Sequence, residues 1–140
     1  MEVIEQRPRL VSFRAIKFTG VNEVSASPPQ ELKLDFSQAI EVGLGVSTIN
    51  QSMLQALVKV EISAKAVYLN GDQSGAEFLG IYEGKFEYPA DITENHVQER
   101  FVQEPYQYML VAQVYPLAMT NFRRELQSMG LDARALPLGL

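Results

Sequence analysis

Apolar and polar residues alternate most cleanly between Leu54 and Lys65. Leu54, Ala56, Val58, Val60, Ile62 and Ala64 fall on one side, and Gln55, Lys59, Glu61, Ser63 and Lys65 on the other. A period of two is that of a strand with one face buried and one face wet. Asn70-Gly71 then supplies residue types that accept the positive φ angles of a turn, and the run AEFLGIYEGKFEY alternates again. Phe78, Tyr82, Phe86 and Tyr88 share one face of that run, while Leu79, Ile81, Glu83, Lys85 and Glu87 take the other. The two runs predict an antiparallel hairpin, with a register left open because the connection NGDQSG is longer than two residues.

Upstream, LVSFRAIKFTGV (Leu10 to Val21) is rich in β-branched and aromatic residues and predicts a strand that Gly20 ends or bulges. Consecutive prolines at Pro28 and Pro29 mark a loop before LKLDF, where Leu32, Leu34 and Phe36 share a face. In SQAIEVGLGVSTINQS, Ile40, Val42, Leu44 and Val46 alternate while Gly43 and Gly45 weaken the pattern, which predicts an irregular strand.

Downstream, Pro89 stops the sheet, and Val97, Phe101 and Val102 are spaced for a short helix that Pro105 interrupts. The segment YQYMLVAQVY is apolar around nearly its whole circumference, so as a helix it needs cover on more than one side, which a partner subunit would supply. Pro116 is expected to break or kink it. A last amphipathic helix, TNFRRELQSMG, follows, with Thr120 as N-cap, Gly130 as stop, and Phe122, Leu126 and Met129 as its apolar stripe. No repeat or linker divides the chain, so residues 1–140 read as a single α+β domain.

Composition narrows the function classes. Hydrophobic residues make up 46% of the 140, enough for a core, and 17 acidic against 12 basic side chains give a net charge of −5. That sign opposes the phosphate neutralisation that nucleic-acid binding needs, so nucleic acid is set aside. The absence of cysteine removes disulfides, thiolate chemistry and cysteine-based zinc sites. No apolar run reaches the ~18 residues of a membrane span, and MEVIEQRPRL has no signal-peptide core, so the expectation is a cytoplasmic protein with no membrane insertion.

Candidate chemistry is sparse. His96 and Glu99 at i+3 would share a helix face as a metal pair, but a third strong ligand is not in view and a solvated polar face is the better reading. GDQSG lacks nucleophile-elbow spacing, which leaves Ser74 as a turn residue. Gly43-Leu44-Gly45 lacks the third glycine, the Lys-Ser/Thr ending and the helix of a phosphate loop. Arg123 and Arg124 point in different directions on a helix, and Asp91 and Glu94 have no apolar surroundings that would raise a pKa toward catalysis. The expectation is a binding protein with no catalytic residues, no metal and no cofactor.

The order of elements and several strings resemble the SecB family of export chaperones. FRAIKFTGVNEVSASPPQELKLDF is similar to that family's first strand, proline-ended loop and K-L-D-like strand. VKVEISAKAVYLNGDQSGAEFLGIYEGKF is similar to its long hairpin, including Phe78-Leu79. Pro105-Tyr106, Tyr115-Pro116-Leu117, Asn121-Phe122 and Leu126 follow its helical pattern. The resemblance implies a four-stranded antiparallel sheet with two main C-terminal helices, assembled as a dimer of dimers (a homotetramer) with helices between the dimers. It also implies apolar grooves that hold unfolded polypeptide clients and pass preproteins to the SecA motor.

On that resemblance the client-binding candidates are Phe78, Tyr82, Phe86 and Leu44, with the Tyr82 hydroxyl in water at a groove edge. The oligomer interface falls on Tyr106, Met109, Leu110, Val111 and Val114. Partner docking on the exposed sheet face falls on Asn22, Ala26, Leu79 and Ile81, where acids would be expected and the leucine alone is kept, so SecA is a doubtful partner. Val114 replaces the family's glycine before the aromatic-Pro step, and the C-terminal tail is not acidic. The leading expectation is an ATP-independent holdase. Its alternatives are a dedicated SecB-like chaperone of one partner such as an antitoxin, or a non-chaperone assembly subunit.

Overall fold

A computed structural model of the chain describes residues 7–24, 32–47 and 53–131. Four long strands, β1 (Arg9–Asn22), β2 (Leu32–Val46), β3 (Leu54–Tyr68) and β4 (Gln73–Glu87), precede two helices, α1 (Glu94–Phe101) and α2 (Glu104–Ser128). The strands form one antiparallel sheet in the order β1-β4-β3-β2, so consecutive β1 and β2 stand at opposite edges.

The central hairpin follows its sequence pattern. All six residues assigned to the inner face of β3 are buried, as are Phe78, Tyr82 and Phe86 on β4 and Tyr88 just beyond its end. Gly71 takes φ 94° at the turn, where its N–H donates to the Tyr68 carbonyl at 2.8 Å, and the Asp72 N–H donates to the Asn70 side chain at 2.9 Å. The register shifts between Ala66 and Val67 because Ser74 and Gly75 form a bulge. The Ser74 hydroxyl donates to the Ala66 carbonyl and accepts from the Ala76 N–H, a turn role like the one its sequence context predicts.

Two expectations are corrected. The irregular strand is not separate from LKLDF: β2 runs unbroken for 15 residues and pairs with β3 without a shift. Gly43 and Gly45 fall on the solvent face, where an added Cβ would meet nothing within 4 Å, while Ile40, Val42 and Leu44 carry the packing face. Nor does Pro116 end a helix: α2 is one element of 25 residues with Pro116 inside it. The proline withholds one N–H from the Ala112 carbonyl, but Val114, Tyr115, Ala118, Met119 and Phe122 on both sides of it are buried, and that packing outweighs one lost bond. The two helices of the fold are therefore α1 and α2.

α1 opens on Thr93, whose N–H donates to His96 Nδ1 at 2.9 Å, so the sole histidine serves as a helix-capping residue. The end of α2 is a glycine cap: Gly130 has φ 88° and donates to the Gln127 carbonyl at 3.0 Å, while Leu131 donates to Leu126 at 3.0 Å.

α2 lies across β3, β4 and β1 at close range. A Cβ on Gly84 would sit 2.4 Å from Val114 Cγ2, and one on Gly20 would sit 2.8 Å from Met129 Sδ. The valine that replaces a helical glycine of the resembled family thus packs over a strand glycine. Gly84→Ala should cost about 1 to 3 kcal/mol through overpacking and lower the melting temperature by several degrees. Adding Val114→Ala should restore part of the loss, so a thermal-melt double-mutant cycle should be clearly non-additive.

Candidate functional site

The sheet has two unlike faces. On the helix side, Leu10, Phe13 and Phe18 from β1 join the buried rows of β4 and β3 under α2. Phe78, Tyr82 and Phe86, expected to line a client groove, lie in this core at 3%, 1% and 0% exposure. The Tyr82 ring stacks on Phe13 with centroids 6.0 Å apart, and its hydroxyl is buried with no hydrogen-bond partner among the described residues. The expected wet hydroxyl is therefore corrected: α2 covers the middle of the face, which period-two alternation in one strand does not reveal.

Cover stops short of β2. Leu32, Leu34, Ile40, Val42 and Leu44 are only half-buried on that side, and Phe36 is exposed. The strip carries no charge. Its one polar member within the apolar run is Gln38, whose side chain accepts a hydrogen bond from the Tyr115 hydroxyl and ties the edge strand to α2. Leu44, expected at the groove, belongs to this strip. The remaining members were hidden in the sequence, because the alternation of β2 predicts a face but not that a helix leaves it bare.

The other face is charged in rows that cross all four strands. Arg14, Glu83, Lys59 and Glu41 stand opposite one another, as do Val21, Glu77, Lys65 and Asp35. Arg14 bridges Glu83 at 3.2 Å and Lys65 bridges Glu77 at 3.6 Å. Between these rows a trough of 590 Å³ is lined by Thr19, Ser37, Ser63 and Leu79, with the Ser37 and Ser63 hydroxyls 2.8 Å apart.

Leu79 and Ile81, expected as docking residues, are on this face and half-buried. Asn22 is not. It faces the helix side, donates to the Met129 carbonyl at 2.7 Å and accepts from Val24 at 3.1 Å. Its partner in the sheet is Ala76, in the buried row of β4, so the sheet-face assignment that the family resemblance implied for Asn22 is corrected. Ala26 lies outside the described residues.

Of the expected interface residues, Leu110, Val111 and Val114 are buried within their own chain, while Tyr106 and Met109 are half-buried. The apolar circumference of this segment is thus met partly by the sheet. Its outer side still exposes Tyr108 at 54% and Leu117 at 40%. At the helix start, the Tyr88 and Tyr106 hydroxyls are 2.6 Å apart, and burial raises the pKa of both. Among the described residues no three metal-ligating side chains cluster, and no helix is long and apolar enough to cross a membrane. Gly43-Leu44-Gly45 is strand rather than loop, and Asp91, Glu94 and Glu99 are exposed.

Burial first, and the Glu125 carboxylate second, push Tyr82 up to about 12. Its unfolded value is near 10, so the folded state keeps a proton that the unfolded state loses between those values, and stability is lost as pH rises through that window. Tyr82→Phe should remove this share of the alkaline loss. At neutral pH it should leave the melting temperature unchanged or raised, because it deletes an unpaired buried hydroxyl. Tyr88→Phe, which strands the Tyr106 hydroxyl, should lower it by the equivalent of about 1 kcal/mol.

No protein-family model matches the sequence, and no curated protein matches it. Among solved structures, the chain is similar to the SecB-like chaperone Rv1957 of Mycobacterium tuberculosis, solved in complex with a ChAD peptide from the HigA1 antitoxin. The match has a TM-score of 0.58 at 12% identity and covers 94% of this chain and 90% of the other. The four-stranded antiparallel sheet with two helices is therefore a divergent SecB-like fold.

Proposed function

We propose that this protein is an ATP-independent holdase that binds non-native polypeptide along the bare apolar strip of β2 beside α2. The observation that carries the reading is an uncharged row of Leu32, Leu34, Phe36, Ile40, Val42 and Leu44 that α2 leaves partly in water, in a SecB-like fold. Contiguous exposed apolar surface favours association with apolar chain segments. Phe78, Tyr82 and Phe86 act from beneath, as the packed floor that fixes the position of α2. Binding, release and shielding need no covalent step, in line with a site that offers apolar surface and one amide-phenol bridge. Docking on SecA is not part of the proposal.

A dedicated chaperone of a single partner is the second reading, favoured by the antitoxin peptide in the complex of the mycobacterial protein. The two are separated by asking whether equimolar protein, without nucleotide, stops several unrelated denatured proteins from aggregating. Protection of many clients is expected; protection of one alone would favour the dedicated role, and protection of none would overturn both. Phe36→Asp, at a side chain 39% exposed, should weaken protection severalfold with little change in melting temperature.

We further propose a homotetramer in which the outer side of α2, with Tyr106, Tyr108, Met109 and Leu117, is covered by other subunits. Light scattering at micromolar concentration should give four times the 15.7 kDa chain mass. A strictly monomeric mass would remove the assembly and leave the β2 strip to be tested alone.

A further inference from the structure

Gln38 breaks the pattern of its own strand. The positions of β2 on the helix side are Leu32, Leu34, Phe36, Gln38, Ile40, Val42, Leu44 and Val46, so one amide stands in an otherwise apolar row. Across the sheet its row continues through Ile62 on β3, Gly80 on β4 and Phe18 on β1, none of them polar. Alternation calls for an apolar side chain there, and departures from a local rule concentrate where a chain does something besides fold.

The amide is also held. Tyr115 is fully buried in α2, and its hydroxyl donates to Gln38 Oε1. That bond uses the acceptor end of the side chain and fixes its orientation. The Nε2 end, with two N–H donors, has no partner among the described residues, and Gln38 is exposed. An uncharged apolar strip therefore carries, between Phe36 and Ile40, one hydrogen-bond donor already set in place.

We propose, resting on the holdase reading, that Gln38 makes the strip selective for non-native backbone over apolar surface in general, with Tyr115 as its positioning residue. A chain segment laid on the strip loses water from its main-chain carbonyls, and a carbonyl left unpaired there weakens binding. Gln38 Nε2 answers one such carbonyl. Because Tyr115 holds the amide beforehand, little side-chain freedom is lost in doing so. In folded proteins nearly all buried main-chain carbonyls are already paired. A folded apolar surface would thus strip water from the amide and offer it nothing in return. The ligand class is an extended apolar segment with a free carbonyl, whatever its side-chain sequence. If the amide were only a tie between β2 and α2, an apolar side chain in its place would extend the strip and strengthen binding of any apolar ligand.

The test measures binding of two probes to the full-length chain. One is a fluorescently labelled nine-residue peptide of alternating leucine and glycine with a lysine at each end, whose acceptors are main-chain carbonyls. The other is diphenylhexatriene, a hydrocarbon with no acceptor. Gln38→Met keeps the length of the side chain and removes the donor. It should weaken peptide binding about three- to tenfold and leave hydrocarbon binding unchanged or stronger. Gln38→Glu keeps an acceptor for the Tyr115 hydroxyl, so it should preserve the melting temperature while weakening the peptide at least as much. Tyr115→Phe frees the amide without removing it and should weaken the peptide by only about twofold. Peptide binding to Gln38→Met that equals or exceeds wild type, or no peptide binding by a wild-type chain that still protects denatured proteins, would overturn the role of Gln38 and leave the holdase reading intact. Parallel loss of both probes would overturn that role as well. Failure to protect any denatured protein would overturn the holdase reading itself.

Discussion

The close approach of α2 to the sheet is the contact on which the rest depends. Helix and strand come together where glycine leaves room: Val114 over Gly84 and Met129 over Gly20. Any side chain at Gly84 would lift the middle of the helix, and with it Leu110, Tyr115, Ala118 and Phe122, which are fully buried. Because interiors are close-packed, such a displacement is felt along the whole helix.

That approach also decides what is left uncovered. α2 is held at its start by the Gln107 side chain donating to the Phe101 carbonyl at 2.9 Å and at its end by Asn22 on the Met129 carbonyl. Between these points it lies over β1, β4 and β3, and Tyr115 reaches out to β2 through Gln38. The sheet is wider than one helix can cover, so one edge strand keeps an apolar face without a lid. In a monomeric enzyme such a strip would be a liability. On the holdase reading proposed above, it is the surface offered to the client.

The hairpin was legible because both strands are long, alternate with period two and meet at Asn70-Gly71. The continuity of β2 was not, because glycine weakens a strand on average and Gly43 and Gly45 are harmless only on a face with nothing packed against it. Pro116 misled for a similar reason: its local cost is real, and only the buried residues flanking it show that tertiary packing exceeds that cost. The sheet-face assignment of Asn22 rests on resemblance alone, whereas the two shifts in β1 cancel and leave Asn22 on the same side as Leu10. Alternation placed Tyr82 correctly beside Phe78 and Phe86, but which part of a face a helix covers is a property of the assembled sheet.

The two faces of the sheet differ in the physics that holds their partners. The contacts described for α2 are mainly uncharged: apolar packing, an amide-phenol bridge at Tyr115, and the Tyr88 and Tyr106 hydroxyl pair, whose pKa values burial moves away from neutrality. The opposite face is held by exposed ion pairs such as Arg14 with Glu83, each worth little and screened by salt. Ionic strength therefore acts on the charged rows, and leaves the helix and the apolar strip in place.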